Sequence, residues 1–475
     1  MPDNAPGTEI LDLSTAFPPV STEEWEAVIR KDLKGADYEK ELVWRTDEGI
    51  SVRPYYRQEN LQPLGESVDL APGQKPFTRG GGHAWLEAQS FTPPPDAIRA
   101  DSLHESGATA VQELAFALAE AVEKLQRAID AGVPVQSAAP TIQFVYAVGS
   151  NYFFEIAKLR AARALWSVAV QAFGCSDPKA AVTRIHVRTA RFNKSLLDPY
   201  TNLLRVTTES ISAIMGGCDS LTVEPFGFDP HLALNVQRLL RDEVHLDKVA
   251  DPAGGSYYVE ALTNELAQAA WKLFQEVEGL GGHSAASSFI SQAITKSHEA
   301  KTKALATRRK TMVGVNNYPN VNDQFVEHSA APSSETRLAE PFEKIRERTA
   351  QHIRLTGKAP KVLLLKRGDP KMKIARANFC LNFFACAGFQ LVESDTYQAT
   401  DADRIVLCSS DPEYVDLARE VCAAVKTIPV FIAGNPKAQI SELEALGVRG
   451  FIHVQSNSVE TLTAWQNDLG MRPLE

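Results

Sequence analysis

Along residues 97–281 short apolar runs alternate with longer stretches whose apolar positions recur every three or four residues. The runs at 97–100, 142–148, 183–187 and 220–223 read as strands, and the stretches at 109–131, 153–173, 198–215 and 231–243 as the helices that follow them. In the first helix Leu114, Leu118, Val122 and Leu125 share one face. Alternating βα units imply a parallel sheet with right-handed crossovers. Two more helices, at 259–278 and 285–309, close the region. A second alternation starts at Lys361, with strands at 362–365, 389–392, 404–408, 429–433 and 450–454. Helices at 374–387, 414–425 and 440–446 separate them, and a last one runs from Ser458. This describes a doubly wound sheet of flavodoxin-like type, whose ligands sit beyond the strand ends, here after Leu365, Cys408 and Ala433.

The flanks read differently. Ser21 and Glu24 form a capping box for a short helix reaching Leu33. Residues 54–95, rich in Gly and Pro, read as an extended arm and not as a core element. Within it Arg79 and Gly80-Gly-Gly82 offer a phosphate cradle or a flexible crossing, and Gly254-Gly255 reads as a tight turn. The domain organisation expected is an N-terminal helix and arm at 1–95, a first α/β domain at 96–312, a linker at 313–360 and a second α/β domain at 361–475.

Composition narrows the class. An apolar share of 44% and a charged share of 23% are those of a globular protein, and a formal charge of −10 gives no reason to expect nucleic acid. No apolar run is long enough to span a bilayer, and the start Met1-Pro-Asp-Asn lacks a basic and apolar leader. Six cysteines without a CxxC pair read as free thiols, so a cytoplasmic protein with no membrane partner and no metal site is expected.

Five motifs, in this order, carry a resemblance: His104-Glu-Ser-Gly-Ala-Thr-Ala, the run from Tyr152-Phe-Phe-Glu155 through Lys158, Arg160 and Arg163 to Trp166, Asp198-Pro-Tyr-Thr-Asn202, Asp251-Pro-Ala-Gly-Gly-Ser-Tyr-Tyr, and Gly314-Val-Asn-Asn-Tyr-Pro319. The chain resembles methylmalonyl-CoA mutases over nearly its whole length. The resemblance implies a TIM-type (β/α) barrel carrying acyl-CoA on its axis, and adenosylcobalamin between the barrel mouth and the flavodoxin-like domain. There a His in a Lys-x-x-x-Asp-x-His-x-x-Gly loop ligates cobalt, oriented by its carboxylate neighbour.

Against that pattern the loop here keeps Lys366, but has Pro370 for the Asp, Met372 for the His and Ala375 for the Gly. No histidine occurs between His352 and His453. Ser409-Ser-Asp411 and Ala433-Gly434 also depart from the family's nucleotide-tail and Gly-Gly positions. The barrel histidine's place is taken by Ser102, leaving His104, two residues on, as the one catalytic candidate or a polar rim residue. No Tyr lies between Tyr56 and Tyr146 to serve as the arm tyrosine. Arg188 stands where the family has a substrate-side Gln, and is expected either to hold an acyl-CoA phosphate or carboxylate or to pair across the rim.

Length is the last departure. Between Trp85-x-x-x-Gln89 and the strand near Ala97 only residues 90–96 remain, whereas the family has a long stretch of barrel there. The fold expected is therefore a partial, roughly half, TIM-type (β/α) barrel plus a flavodoxin-like, cobalamin-binding-type domain with degenerate cofactor loops. The resemblance is to the small subunit of heterodimeric mutases. It implies a chain inactive alone, binding no cofactor, paired with a homologous catalytic subunit that holds adenosylcobalamin. A self-dimer, an acyl-CoA-binding pseudoenzyme and an active mutase are the alternatives.

Overall fold

The computed structural model describes residues 17–80, 85–323, 337–398 and 400–474. The leader reading at Met1, Gly81, Gly82 and His83 of the arm, and 324–336 of the linker lie outside them.

The first helix, α1 (Thr22–Asp32), starts at the expected capping box: Ser21 accepts from the Glu24 N–H and Glu24 reaches back to the Ser21 N–H. The first sheet holds five parallel strands, β1 (Leu86–Ala88), β2 (Ile98–Arg99), β3 (Gln143–Val148), β4 (Arg184–Thr189) and β5 (Ser220–Thr222), in the order β1-β5-β4-β3-β2. Its helices are α2 (Ala100–Glu105), α3 (Ala110–Asp130), α4 (Tyr152–Ala172), α5 (Pro199–Met215), α6 (Pro230–Asp242), α7 (Tyr257–Gly279) and α8 (Ser287–Ala306). Side chains alternate across the strands. Phe144, Tyr146, Val148, Ile185, Val187 and Leu221 enter one core with Leu114, Leu118 and Leu125 of α3. Val145, His186, Arg188 and Thr222 line a cleft on the opposite face.

β1 corrects the reading of 54–95 as an arm outside the core. Leu86, Glu87 and Ala88 pair with Ser220, Leu221 and Thr222, and Phe77 and Trp85 are buried. A three-residue strand among prolines and glycines is too short for periodicity to reveal. Its partner in sequence, β2, lies at the far edge of the sheet, about 19 Å away at the usual strand spacing. Only residues 89–97 join them, so this segment crosses the sheet face: Phe91 stacks on His186 with ring centroids 3.5 Å apart.

The second sheet holds β6 (Lys361–Lys366), β7 (Gln390–Ser394), β8 (Arg404–Cys408), β9 (Val430–Ala433) and β10 (Val448–Ile452), ordered β10-β9-β8-β6-β7 and parallel throughout. Chain direction across the sheet reverses between β6 and β8, which makes that crevice the switch point. Its connecting helices follow the pattern. One begins earlier than expected: α10 (Pro370–Ala385), after α9 (Glu340–Thr356), starts at Pro370 because Asp369 caps it and Pro370 suits the first turn. α11 (Tyr414–Ala424), α12 (Ile440–Ala445) and α13 (Ser458–Asp468) complete the set.

α9 itself falls in the stretch read as linker, 313–360. Its sequence is mostly polar, so its few apolar residues were unreadable as a face. They are nonetheless specific: Phe342 and Ile345 join the core of α10 and α13, and Gln466 donates to the Ile345 carbonyl at 2.6 Å. The two sheets also meet through α8, whose Leu305 enters that core and whose Ala306 carbonyl accepts from Ser458 at 2.6 Å. Four cysteines are buried and two half-buried, all free.

Candidate functional site

Two places at strand ends collect polar side chains. The first lies beyond β3. His104, from α2, donates or accepts through Nδ1 with Glu113 Oε1 at 2.7 Å, while Glu113 Oε2 receives Lys158 Nζ at 2.7 Å. Lys158 also meets the Ala147 carbonyl at 2.8 Å and Glu155 at 2.6 Å, and Glu155 accepts from the Gly149 N–H at 3.0 Å. Burial alone would raise the Glu113 carboxyl; the charges of Lys158 and then His104 outweigh it and hold it below the usual range. Burial likewise opposes the Lys158 ammonium, and Glu113 and Glu155 overcome it. The arrangement fixes the imidazole with one nitrogen on a carboxylate, the geometry that orients a proton-transfer group.

Arg188 is engaged within the rim. Its Nε donates to Asp101 at 2.7 Å and Nη1 meets Glu105 at 3.0 Å, while Asp101 also takes Arg99. Glu105 in turn accepts the N–H groups of Arg191 and Phe192, tying the exit of β4 to α2. Arg79 lies far from this, at 3.6 Å from Asp251 and 3.7 Å from Glu260, both shared with Arg160. That quartet clamps the Asp251-Pro-Ala-Gly-Gly-Ser turn. A side chain at Gly254 would sit 2.5 Å from Asp251 Oδ2 and 2.8 Å from Arg79 Nη1, so admitting one would displace the clamp.

The other motifs are folding devices of the same kind. Asp198 caps α5, and Asn202 bridges the Ser195 and Phe226 carbonyls at 2.6 and 3.1 Å. Asn316 holds the carbonyls of Leu305 and Lys310 at 2.8 and 2.7 Å.

The second place is the switch-point crevice of the second sheet. Lys366 pairs with Glu393 at 2.9 Å. Pro370, Met372 and Ala375 lie in the first turns of α10, where Asp369 accepts from the Met372 N–H at 2.7 Å. Between β6 and β8 stands the carboxylate of Glu413. It accepts from the Asp369 N–H at 3.0 Å, Ser409 Oγ at 2.6 Å, and Ser410 N–H and Oγ at 3.1 and 2.5 Å. The Ser409 and Ser410 hydroxyls first, then the two N–H groups, pull its pKa down to about 2. A Cβ at Gly368 would collide with it. This donor set does not fit an imidazole-ligated corrin: the loop supplies a thioether on a helix, and the crevice already contains an anion. Among the described residues no group of His, Cys, Asp and Glu is placed to hold a metal ion, and no helix is long and apolar enough to cross a membrane.

The family resemblance singled out His104, Arg188 and the Lys366 loop, and the Gly-rich run singled out Arg79; the fold brings no two of these groups into one site. Glu113, Lys301, Arg205 and Glu413 were missed. Glu413 had a signal, since Ser410 and Glu413 form a capping box after a strand end.

A parallel sheet with a clamped, polar strand-end cluster, followed by a doubly wound sheet, defines an α/β protein built on two five-stranded parallel sheets. The model of the methylmalonyl-CoA mutase family matches residues 95–355, more than half of the chain, and the chain belongs to that family. It is 32% identical to the methylmalonyl-CoA mutase small subunit of Porphyromonas gingivalis, with 97% of this chain and 99% of that protein aligned. That alignment runs over 616 positions against 475 residues here, so a long stretch of the relative has no counterpart. The small subunit of Streptomyces virginiae is 35% identical over 79% of this chain and 64% of its own length. The large subunit of Porphyromonas gingivalis is 38% identical over 46% of this chain and 32% of its own length.

Proposed function

We propose that this chain is the small, non-catalytic subunit of an adenosylcobalamin-dependent methylmalonyl-CoA mutase, and that isomerisation between methylmalonyl-CoA and succinyl-CoA takes place in a homologous large subunit. The observation that carries the reading is Glu413. Its carboxylate takes up the donors of the switch-point crevice in a flavodoxin-like domain, beside a loop whose histidine position is Met372. The first sheet supports it. In a closed eight-stranded barrel the last strand pairs with the first, and here β5 pairs with β1 while the strands between β1 and β2 are absent. Residues 89–97 then cross the face along which an acyl chain would lie, and Phe91 rests on His186 there. Arg188 and Arg79 serve as structural ion pairs, and His104 carries no mutase step.

The test is mutase activity of this chain alone, of a catalytic large subunit alone and of their mixture, with size-exclusion chromatography of the mixture. The expected result is no turnover alone, no cobalamin absorbance change on titration with this chain, and a stable complex with the large subunit. Failure to form a complex would overturn the subunit reading in favour of a free-standing pseudoenzyme, and turnover by the isolated chain would overturn it in favour of an active mutase.

A further inference from the structure

A cavity of about 550 Å³ lies beyond β3, under the ends of α3, α4, α5 and α8. It shares no lining residue with the cleft over Val145 and His186 that the 89–97 crossing covers. Its volume falls in the range of small-molecule sites. Its walls are of two kinds. Phe154, Leu204, Leu305 and Met312 supply an apolar side. The lining also holds two cations, Lys301 and Arg205, that have no carboxylate in ion-pair contact among the described residues.

Lys301 Nζ donates once, to the Ala108 carbonyl at 2.7 Å, and stands 5.6 Å over the Phe192 ring. Arg205 donates to Asn202 Oδ1 at 2.8 Å and to the Val313 carbonyl at 2.6 Å. An ammonium has three N–H groups and a guanidinium five, so both keep donors to spare. Burial pushes both groups below their ordinary pKa, the mark of cations held without full compensation. His104 Nε2 adds a third group, its ring fixed by Glu113.

The acids of the wall limit the charge a ligand can carry. Glu113 and Glu155 are satisfied by Lys158, and Asp47 by Lys310. Glu48, half-buried, has its carboxyl pushed up by burial. A dianion would meet these groups at close range, whereas one negative charge on an apolar body matches both walls.

We infer that this cavity binds a short-chain organic monocarboxylate, its carboxylate held between Lys301 and Arg205 and its hydrocarbon against Phe154, Leu204 and Met312. The site belongs to this chain alone and does not depend on a mutase partner, so the two readings fail separately.

The experiment is calorimetric titration of the full chain with butyrate, with butyramide and inorganic phosphate as comparison probes. Butyrate is expected to bind saturably at one site, with butyramide and phosphate at least tenfold weaker. Lys301→Met and Arg205→Gln should each weaken butyrate at least tenfold. Leu204→Trp, at an exposed position of the mouth, should block it while leaving the thermal midpoint unchanged. The inference is overturned by absence of saturable butyrate heat, by butyramide binding equally well, by tighter binding of phosphate, or by undiminished binding in a folded Leu204→Trp protein.

Discussion

Lys158 places its ammonium in the middle of the first core, between Glu113 and Glu155, with no exposed surface. Such a charge is tolerated only because both partners and the Ala147 carbonyl are in contact with it. Lys158→Met keeps the volume and removes the cation, leaving two carboxylates buried together. Breaking a buried pair from one side costs about 3–5 kcal/mol, so the urea midpoint should fall with little change in slope. A loss below about 1 kcal/mol would show that water compensates the acids and that the cluster is not the anchor it looks like. The sequence marked Lys158 as part of a family motif. It did not reveal the partner, because Glu113 stands on another helix and a distance across a fold cannot be read from spacing. The same holds for Arg79 and Asp251. Gly254 was readable as a turn residue, yet the Arg79 and Asp251 atoms that crowd a side chain there were not.

Among the elements, long ones declared themselves and short ones did not. β3, β4 and the helices after them fall within a residue or two of their expected bounds because each buries one face in the common core. β1, three residues long, and the crossing at 89–97 are set by the pairing of distant strands, which leaves no local periodicity. The crossing has a measurable consequence at His186, whose Nε2 is buried without a hydrogen-bond partner among the described residues. Desolvation brings its pKa down to about 4. The ring is therefore neutral in the folded chain, while an unfolded chain takes up a proton near pH 6.5. Stability is then fully present above about 6.5 and falls as pH drops toward 4, by an amount on the order of 3 kcal/mol. Phe91→Ala should admit water, raise the His186 pKa toward its ordinary value and flatten that acid-side slope. An NMR titration of the imidazole reads the first and urea unfolding at pH 7 and 4.5 the second. An unchanged His186 pKa in Phe91→Ala would mean that the strand itself, not the crossing, dries the ring.

At the scale of the whole molecule, the two sheets share a seam but the chain leaves one amphipathic element without a core. α1 buries none of its residues. Trp25 stacks on Tyr55 at 5.3 Å, yet Val28 is 60% exposed and Val20 50%. An eleven-residue helix has little stability of its own in water, and an apolar face ordinarily marks what it packs against. Its capping box fixes where it starts, and Thr22, Trp25 and Glu26 rest on residues 55–59 while Val28 is left uncovered among the described residues, which is why the sequence showed the helix and not its role. If the large subunit covers it, Val28→Glu places a charge on a face that must be desolvated. Complex formation should then weaken at least tenfold, while the thermal midpoint of the isolated chain stays the same because Val28 supports no core. Affinity measured by surface capture of the large subunit separates the cases. Equal affinity for both proteins would place the interface on the sheet edges instead, where β1 and β2 leave backbone groups unpaired by neighbouring strands.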